Sequence, residues 1–482
     1  MTRFLVCVLL TALTVLGTEG TPTSIPTDQT SLVTFNKDVL PVLQQNCQEC
    51  HRQGGIAPMS LFTYEGTRPW AKAIKTAVLS KKMPPWFADP HVGEFRNAPK
   101  LTAADISTLV AWADTGAREG DAQDKPSSPQ WTDGWRIQPD IVVGMPAPYH
   151  VAAKGAGEIK EFFVENPFKE DTWVSSIEIR PGDPSVVHHV IVQVADQTNT
   201  RVVFREVDGG TQVVGAQNGV FVGSYNNDLN SRLNERRTGR GVFMTMEAVY
   251  APGGSPLDFR YTNAAKLIQA GKPIRIEVHY TPNGKETTDQ TKVGFTLAKA
   301  PAERRFVIMA PEHMADTRKP IPVGAANYET TGTLTFSQNV ELAWFMPHMH
   351  LRGKDMTYRL IFPDGREQTV LDVKYNFNWQ LGYELKDPIK VTKGTRLVVT
   401  AHHDNSANNP MNPDPGKAVG WGEMTAQEMM LPWFGVLVDR DAQPDSIAFY
   451  LPPDLESAIT NLPIVGGNVL DLLTPTANRV FR

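Results

Sequence analysis

Val186-Val187-His188-His189-Val190-Ile191-Val192 is apolar apart from its two histidines and rich in β-branched side chains, which marks a buried strand. Side chains alternate between the faces of a strand, so adjacent His188 and His189 should point to opposite sides unless a bulge or a metal brings them together. Similar runs surround it, and Gly, Pro and Asn turns separate them: Val174 to Ile179, Val186 to Val194, Ile274 to Tyr280, Thr333 to Phe345, Met356 to Phe362 and Thr395 to His402. Short strands at this spacing predict antiparallel β-sandwiches. Residues 140–482 are too many for one sandwich, so two jelly-roll-like sandwiches in tandem are expected, 140–300 and 301–482, meeting at Lys299-Ala300-Pro301-Ala302-Glu303.

Upstream the pattern changes. Ala122 to Gln130 is polar and proline-bearing, and 122–139 reads as a linker. Before it, 33–121 has helical periodicity, with one helix expected over Phe35 to Gln45, where Pro41 can introduce a kink, and another over Thr102 to Gly116. Between them stands Cys47-Gln48-Glu49-Cys50-His51, the C-x-x-C-H pattern in which two thiols form thioethers to haem vinyl groups and the histidine reaches the iron. A redox-active C-x-x-C does not need the histidine, and no βαβ pattern surrounds this one. The small all-α region is therefore expected to be a cytochrome c domain with one covalent haem c. Met83, 32 residues after His51 and beside the rigid Pro84-Pro85, is the expected sixth ligand. Met59 competes for that position, and His91 is a weaker candidate.

At the start of the chain, Arg3, the apolar run Phe4 to Leu16 and the small and polar residues that follow have the layout of a secretory signal over 1–20. Export to a periplasmic or extracellular compartment, with no transmembrane span in the mature chain, is the expectation. Only Cys47 and Cys50 remain after that segment, so no disulfide can staple distant parts of the chain. A formal charge of −5 over 482 residues, with no block of Lys or Arg, gives no electrostatic case for a nucleic-acid partner.

The β region holds its histidines in groups. Besides His188-His189, Ile276-Glu277-Val278-His279-Tyr280 places His279 at a strand end. Trp344-Phe345-Met346-Pro347-His348-Met349-His350-Leu351 puts His348 and His350 on one strand face, where two imidazoles can share one metal. His402 and His403 open a turn-rich segment that runs to Pro413, expected to be a shaped loop nearby. His150 and His313 have no metal-like context.

Taken in order, His188-His189, Glu277-Val278-His279-Tyr280, His348-Met349-His350-Leu351-Arg352-Gly353, Asp364-Gly365-Arg366-Glu367 and Glu428-Met429 resemble the copper type II, ascorbate-dependent monooxygenases, the family of peptidylglycine α-hydroxylating and dopamine β-monooxygenases. The resemblance covers roughly residues 140–439 and implies two tandem sandwiches with one copper each. It implies that His188, His189 and His279 hold an electron-transfer copper. It further implies that His348, His350 and Met429 hold the copper at which dioxygen and an organic or peptide substrate react; Met424 and Met430 compete with Met429. The disulfides of the animal enzymes cannot form here, and their substrate-contacting residues are not recognisable. The attached haem would stand in for ascorbate as the immediate reductant, refilled by an external electron donor. Two other readings remain open: a zinc hydrolase using the same histidines, and a non-catalytic electron-transfer or copper-handling protein.

Overall fold

A computed structural model describes residues 32–450 except 54, 129–133, 156, 195–202, 208–209, 215–219, 223, 226–242, 301, 312–313, 317–318 and 423. The expected signal segment, His313 and the end of the second sandwich lie outside the described residues. The chain is mostly β-sheet with a small helical N-terminal region.

In that region a π-helical turn, Phe35–Val39, runs directly into the α-helix Leu40–Asn46. Pro41 sits in the first turn of the α-helix, where its missing N–H costs no hydrogen bond. The short helix Tyr64–Thr67, the 3-10 turn Arg68–Trp70 and the helices Ala71–Leu79 and Ala103–Asp114 follow it. The last starts at Thr102, whose side chain accepts from Asp105 N while Asp105 accepts in return from Thr102 N, a reciprocal cap that fixes the boundary. Phe35, Leu43, Leu109 and Trp112 close the core of this region, and Cys47 and Met59 pack against it.

The residues from Trp86 to Asn97, expected to belong to this helical domain, form a strap that lies along the second sandwich. Ala88 bridges Val373, and Phe95 bridges Leu385. Arg96 donates its N–H to Glu384 O at 2.9 Å and its guanidinium pairs with the Glu384 carboxylate at 2.5 Å. Trp86, Phe95 and Tyr383 meet edge to face, with ring centroids 5.0–5.9 Å apart.

Among the described residues, four five-stranded antiparallel sheets make most of the rest, beside a two-stranded pair, Tyr149–Val151 with Thr287–Asp289, and a three-stranded sheet of Val203–Val207, Gly210–Val214 and Ser224–Tyr225. Two of the five-stranded sheets share one core. The first carries Ile141–Gly144, Lys292–Leu297, Thr172–Arg180, Leu257–Asp258 and Lys266–Ile268; the second carries Ala248–Tyr250, Val187–Val194, Ile274–Tyr280, Glu158–Val164 and Val220–Val222. In the second half a central sheet orders Phe243–Met246, Arg304–Pro311, Leu431–Asp439, Val340–His348 and Tyr383–Val391. An outer sheet covers it with Glu367–Lys374, Gly353–Ile361, Arg396–His403, Tyr328–Phe336 and Ala448–Tyr450. The single strand expected over Thr333 to Phe345 is two strands, because Ser337-Gln338-Asn339 is a polar turn between them.

The central sheet is buried on both faces, which explains its unbroken apolar runs. Along Arg304–Pro311, Val307 and Met309 pack into the second sandwich, whereas Phe306, Ile308 and Ala310 pack into the core of the first. Trp344, Met346, Leu431 and Trp433 also join the first core, while Phe345, Phe434 and Val436 join the second. Phe243–Met246, expected in the first sandwich, pairs with Arg304–Pro311 of the central sheet. Each fully buried large apolar side chain here contributes on the order of 1.5–3 kcal/mol relative to exposure.

Candidate metal centre

His188 and His189 do reach the same side, and a bulge does it. His189 pairs with His279 and Val187 with Tyr280, so His188 is the extra residue between the two pairs. One nitrogen of each of His188, His189 and His279 lies within 4.8 Å of the others. His188 Nδ1 and His189 Nδ1 are 3.2 Å apart. His188 Nε2 is 3.1 Å from the carbonyl oxygen of Phe377, to which it donates, leaving its Nδ1 lone pair inward. The Phe377 ring stacks on His188 with centroids 4.2 Å apart. His279 Nε2 is 3.0 Å from Thr425 Oγ1, and its buried Nδ1 has no hydrogen-bond partner. A buried imidazole nitrogen without a partner is uncommon and is accounted for by strain, a catalytic role, or a bound water or ion.

His348 and His350 stand on the face of the central sheet that meets the first sandwich. His348 pairs with Leu431 at the end of the register, and His350 and Met429 lie just beyond that pair, each two residues along the chain. The Met429 side chain packs against the first core, on the same side as Leu431, whereas Met349 and Met430 turn into the second core. His348 Nδ1 donates to Gln380 Oε1 at 2.5 Å, and His350 Nδ1 donates to Gln427 O at 3.1 Å, so each keeps Nε2 as its free lone pair. Such N–H donation to an oxygen is how metal-ligating histidines are oriented.

The two groups adjoin. The His189 and His348 ring centroids are 5.5 Å apart, and His348 and His350 are 5.4 Å apart, so five imidazoles form one continuous cluster between the sandwiches. Burial lowers the pKa of all five; His188 falls to about 4 and His279 to about 3. At neutral pH the cluster is therefore a set of uncharged lone pairs, the form that binds a metal ion.

Sequence reading missed what holds these rings. The loop between strands Glu367–Lys374 and Tyr383–Val391 supplies both Phe377 and Gln380, and Gln380 Nε2 donates to the same Phe377 carbonyl at 3.3 Å. Gly253 of the first sandwich, at φ 78°, lies under Trp379 of that loop; a Cβ there would come within 2.8 Å of the indole. The strap reaches the loop as well: Asn97 Nδ2 donates to Gly382 O at 2.8 Å. Glu428, fully buried, accepts from His350 N at 3.1 Å and Arg352 N at 2.6 Å. Burial raises its pKa to about 7. The loop after His403 supports the same corner, with Asn405 Oδ1 accepting from Arg352 Nε and Asn409 Nδ2 donating to Leu351 O. His403 Nε2 approaches Met429 O at 3.4 Å, whereas His402 points to Asp355 on the outer sheet, away from the cluster.

At the helical end, Cys47, Cys50 and His51 occupy one turn, with Cys50 N and His51 N donating to Cys47 O. His51 Nδ1 donates to Met59 O at 3.3 Å, again leaving Nε2 free. Met83 is half-buried beyond helix Ala71–Leu79, with its N–H on Ala77 O. His91 lies exposed in the strap.

No protein-family model matches the chain, and no curated protein matches it. Solved structures that align include particles of infectious bursal disease virus. One T=1 particle covers 65% of this chain and 74% of its own at 8% identity and a TM-score of 0.15. A VP2 subviral particle covers 66% and 77% at 8% identity and a TM-score of 0.16. A likeness at this level carries no argument about this chain. Among the described residues no helix is long and apolar enough to cross a membrane.

Proposed function

We propose that this chain is an exported copper-dependent monooxygenase that hydroxylates an organic substrate with dioxygen and receives its electrons through a c-type haem on its own N-terminal domain. The carrying observation is the five-histidine cluster, in which hydrogen bonds to Phe377 O, Gln380 and Gln427 O fix the rings so that an unprotonated nitrogen remains on His188, His348 and His350. Three imidazoles at His188, His189 and His279 suit copper or zinc alike. The second group favours copper, because a thioether from Met429, which packs on the side of Leu431 just beyond the His348–Leu431 pair, would be a soft ligand that stabilises Cu(I). Copper held there would supply one-electron chemistry with dioxygen.

The residues of the chain do the rest. Gln380, Gln427 and Phe377 hold the imidazole tautomers; Glu428 holds the His350 and Arg352 backbone; the packed faces of the two sandwiches exclude water from the cluster. At the helical end the cysteine pair and the His51 tautomer fit covalent haem with axial ligation by Nε2. Met83 and Met59 both remain candidates for the sixth position, Met59 being tied to His51 through its carbonyl and packed on the helical core.

Metal analysis with oxygen uptake tests the reading. Two coppers and one iron per chain, with substrate-dependent oxygen consumption, support it. Zinc in place of copper would turn the assignment to hydrolysis, and copper without oxygen consumption would turn it to an electron relay.

A further inference from the structure

The cysteine turn does not face solvent alone. A cavity separates it from the first sandwich, walled by Glu49, Cys50 and Arg52 on one side and by Arg136, Arg180 and Tyr250 on the other. Arg136 spans it. Its guanidinium pairs with Glu49, the neighbour of Cys50, while its Nη2 donates to Gly254 O at 2.9 Å and its Nε stands 3.6 Å from Glu178 Oε1. Glu178 is buried in strand Thr172–Arg180 and also accepts the backbone N–H groups of Arg136 and Ile137, at 2.7 and 3.1 Å. The anchor is thus a buried carboxylate with a fixed position, and a multiply bonded Arg there is held far more firmly than in an exposed ion pair.

Tyr250 lies where this clamp points. Its strand, Ala248–Tyr250, is hydrogen-bonded to Val187–Val194, with Tyr250 opposite Val190. Val190 is covalently next to His189. Burial pushes the Tyr250 phenol upward in pKa, so the ring remains neutral.

We propose that Arg136 docks the cysteine turn on the first sandwich so that Cys50 and Tyr250 form the electron entry to the strand that carries His188 and His189. The inference rests on the function proposed above. In the step served, one electron leaves ferrous haem held at Cys47 and Cys50, which becomes ferric, and a cupric ion held by His188, His189 and His279 becomes cuprous. No bond is made or broken, and Tyr250 is a medium rather than a reactant. Arg136 is a positioning residue.

The test uses the full-length protein, loaded with haem and copper and assayed for both metals. Haem is photoreduced without oxygen, and its reoxidation is followed in its visible absorbance. Absence of either metal, or no haem reoxidation in the parent protein, counts against the function proposed above and removes this inference with it. With both metals present, reoxidation is expected at a rate independent of protein concentration. Arg136→Ala and Tyr250→Ala should slow it by at least about tenfold, in line with the rate cost of small misplacements, while the haem spectrum stays unchanged and, for Tyr250→Ala, the potential as well. Arg136→Lys should recover part of the rate. Parent rates in both alanine variants would overturn the inference. Should Arg136→Ala fail to fold, Glu49→Gln, on the half-exposed side of the clamp, decides the matter: slower reoxidation supports the docking, and an unchanged rate overturns it.

Discussion

Gln380 Oε1 accepts a hydrogen bond from His348 Nδ1 at 2.5 Å while the amide nitrogen of the same side chain donates to Phe377 O, the carbonyl that also receives His188 Nε2. One amide thereby orients a ring of the second histidine group and touches the support of the first.

Replacing Gln380 with Ala frees the His348 ring to rotate and to expose either nitrogen. Copper affinity at the His348, His350 and Met429 position should fall by about 10–100-fold, the usual cost of losing such an outer hydrogen bond. Affinity at His188, His189 and His279 should fall less. Copper titration monitored by isothermal calorimetry separates the two.

The metal-free protein should lose stability on acidification. For a histidine whose folded pKa lies below its ordinary value, the unfolded chain binds protons that the folded chain does not. The stability is complete above pH 6.5 and is lost as pH falls from there through about 4 for His188 and about 3 for His279. Glu428 runs the other way between its ordinary value and about 7, but one carboxyl is outweighed by five imidazoles. Thermal melting at pH 7.5 and pH 5 should show a lower midpoint at pH 5, and bound copper should raise it; equal midpoints without metal would contradict the burial of the cluster.

Glu428→Ala leaves the buried N–H groups of His350 and Arg352 without an acceptor. A loss of about 1–3 kcal/mol is expected, together with weaker copper binding at His350. Glu428→Gln, which keeps an acceptor oxygen, should recover most of the stability in chemical denaturation.

Replacing Cys47 and Cys50 together with Ser removes both thiols proposed to hold the haem. Haem should then be extracted by acidified organic solvent, whereas the parent protein should retain it through the same treatment and through denaturing electrophoresis. Covalent retention in the double variant would refute the attachment.

How far the sequence was legible follows from range. Strands Val187–Val194 and Ile274–Tyr280 were readable from β-branched alternation, and of the two ways left open for the adjacent histidines to share a side, a bulge or a metal, the register supplies the bulge. Ala103–Asp114 was readable from its polar start and the helical spacing of its apolar residues. The strap was not: Trp86 to Asn97 carries turn-like Asp89-Pro90 and Gly93 and pairs with strands nearly three hundred residues away, so no local signal marks it. Gln380 and Phe377 were invisible for the same reason, since a glutamine in a loop has no periodicity and gains its meaning only from the ring it faces. Strand Phe243–Met246 sits on the wrong side of the expected boundary because pairing partners, rather than chain order, decide which sheet a strand joins.

The doubly covered central sheet has a consequence for dissecting the protein. A fragment ending near Ala300 would carry Phe243–Met246 as an orphan edge and would bare the apolar surface that Ile308, Trp344 and Trp433 cover in the whole chain. The complementary fragment would bare those same side chains from the other direction. Expressed separately, the halves are expected to clump, so the β region should be handled as both sandwiches together.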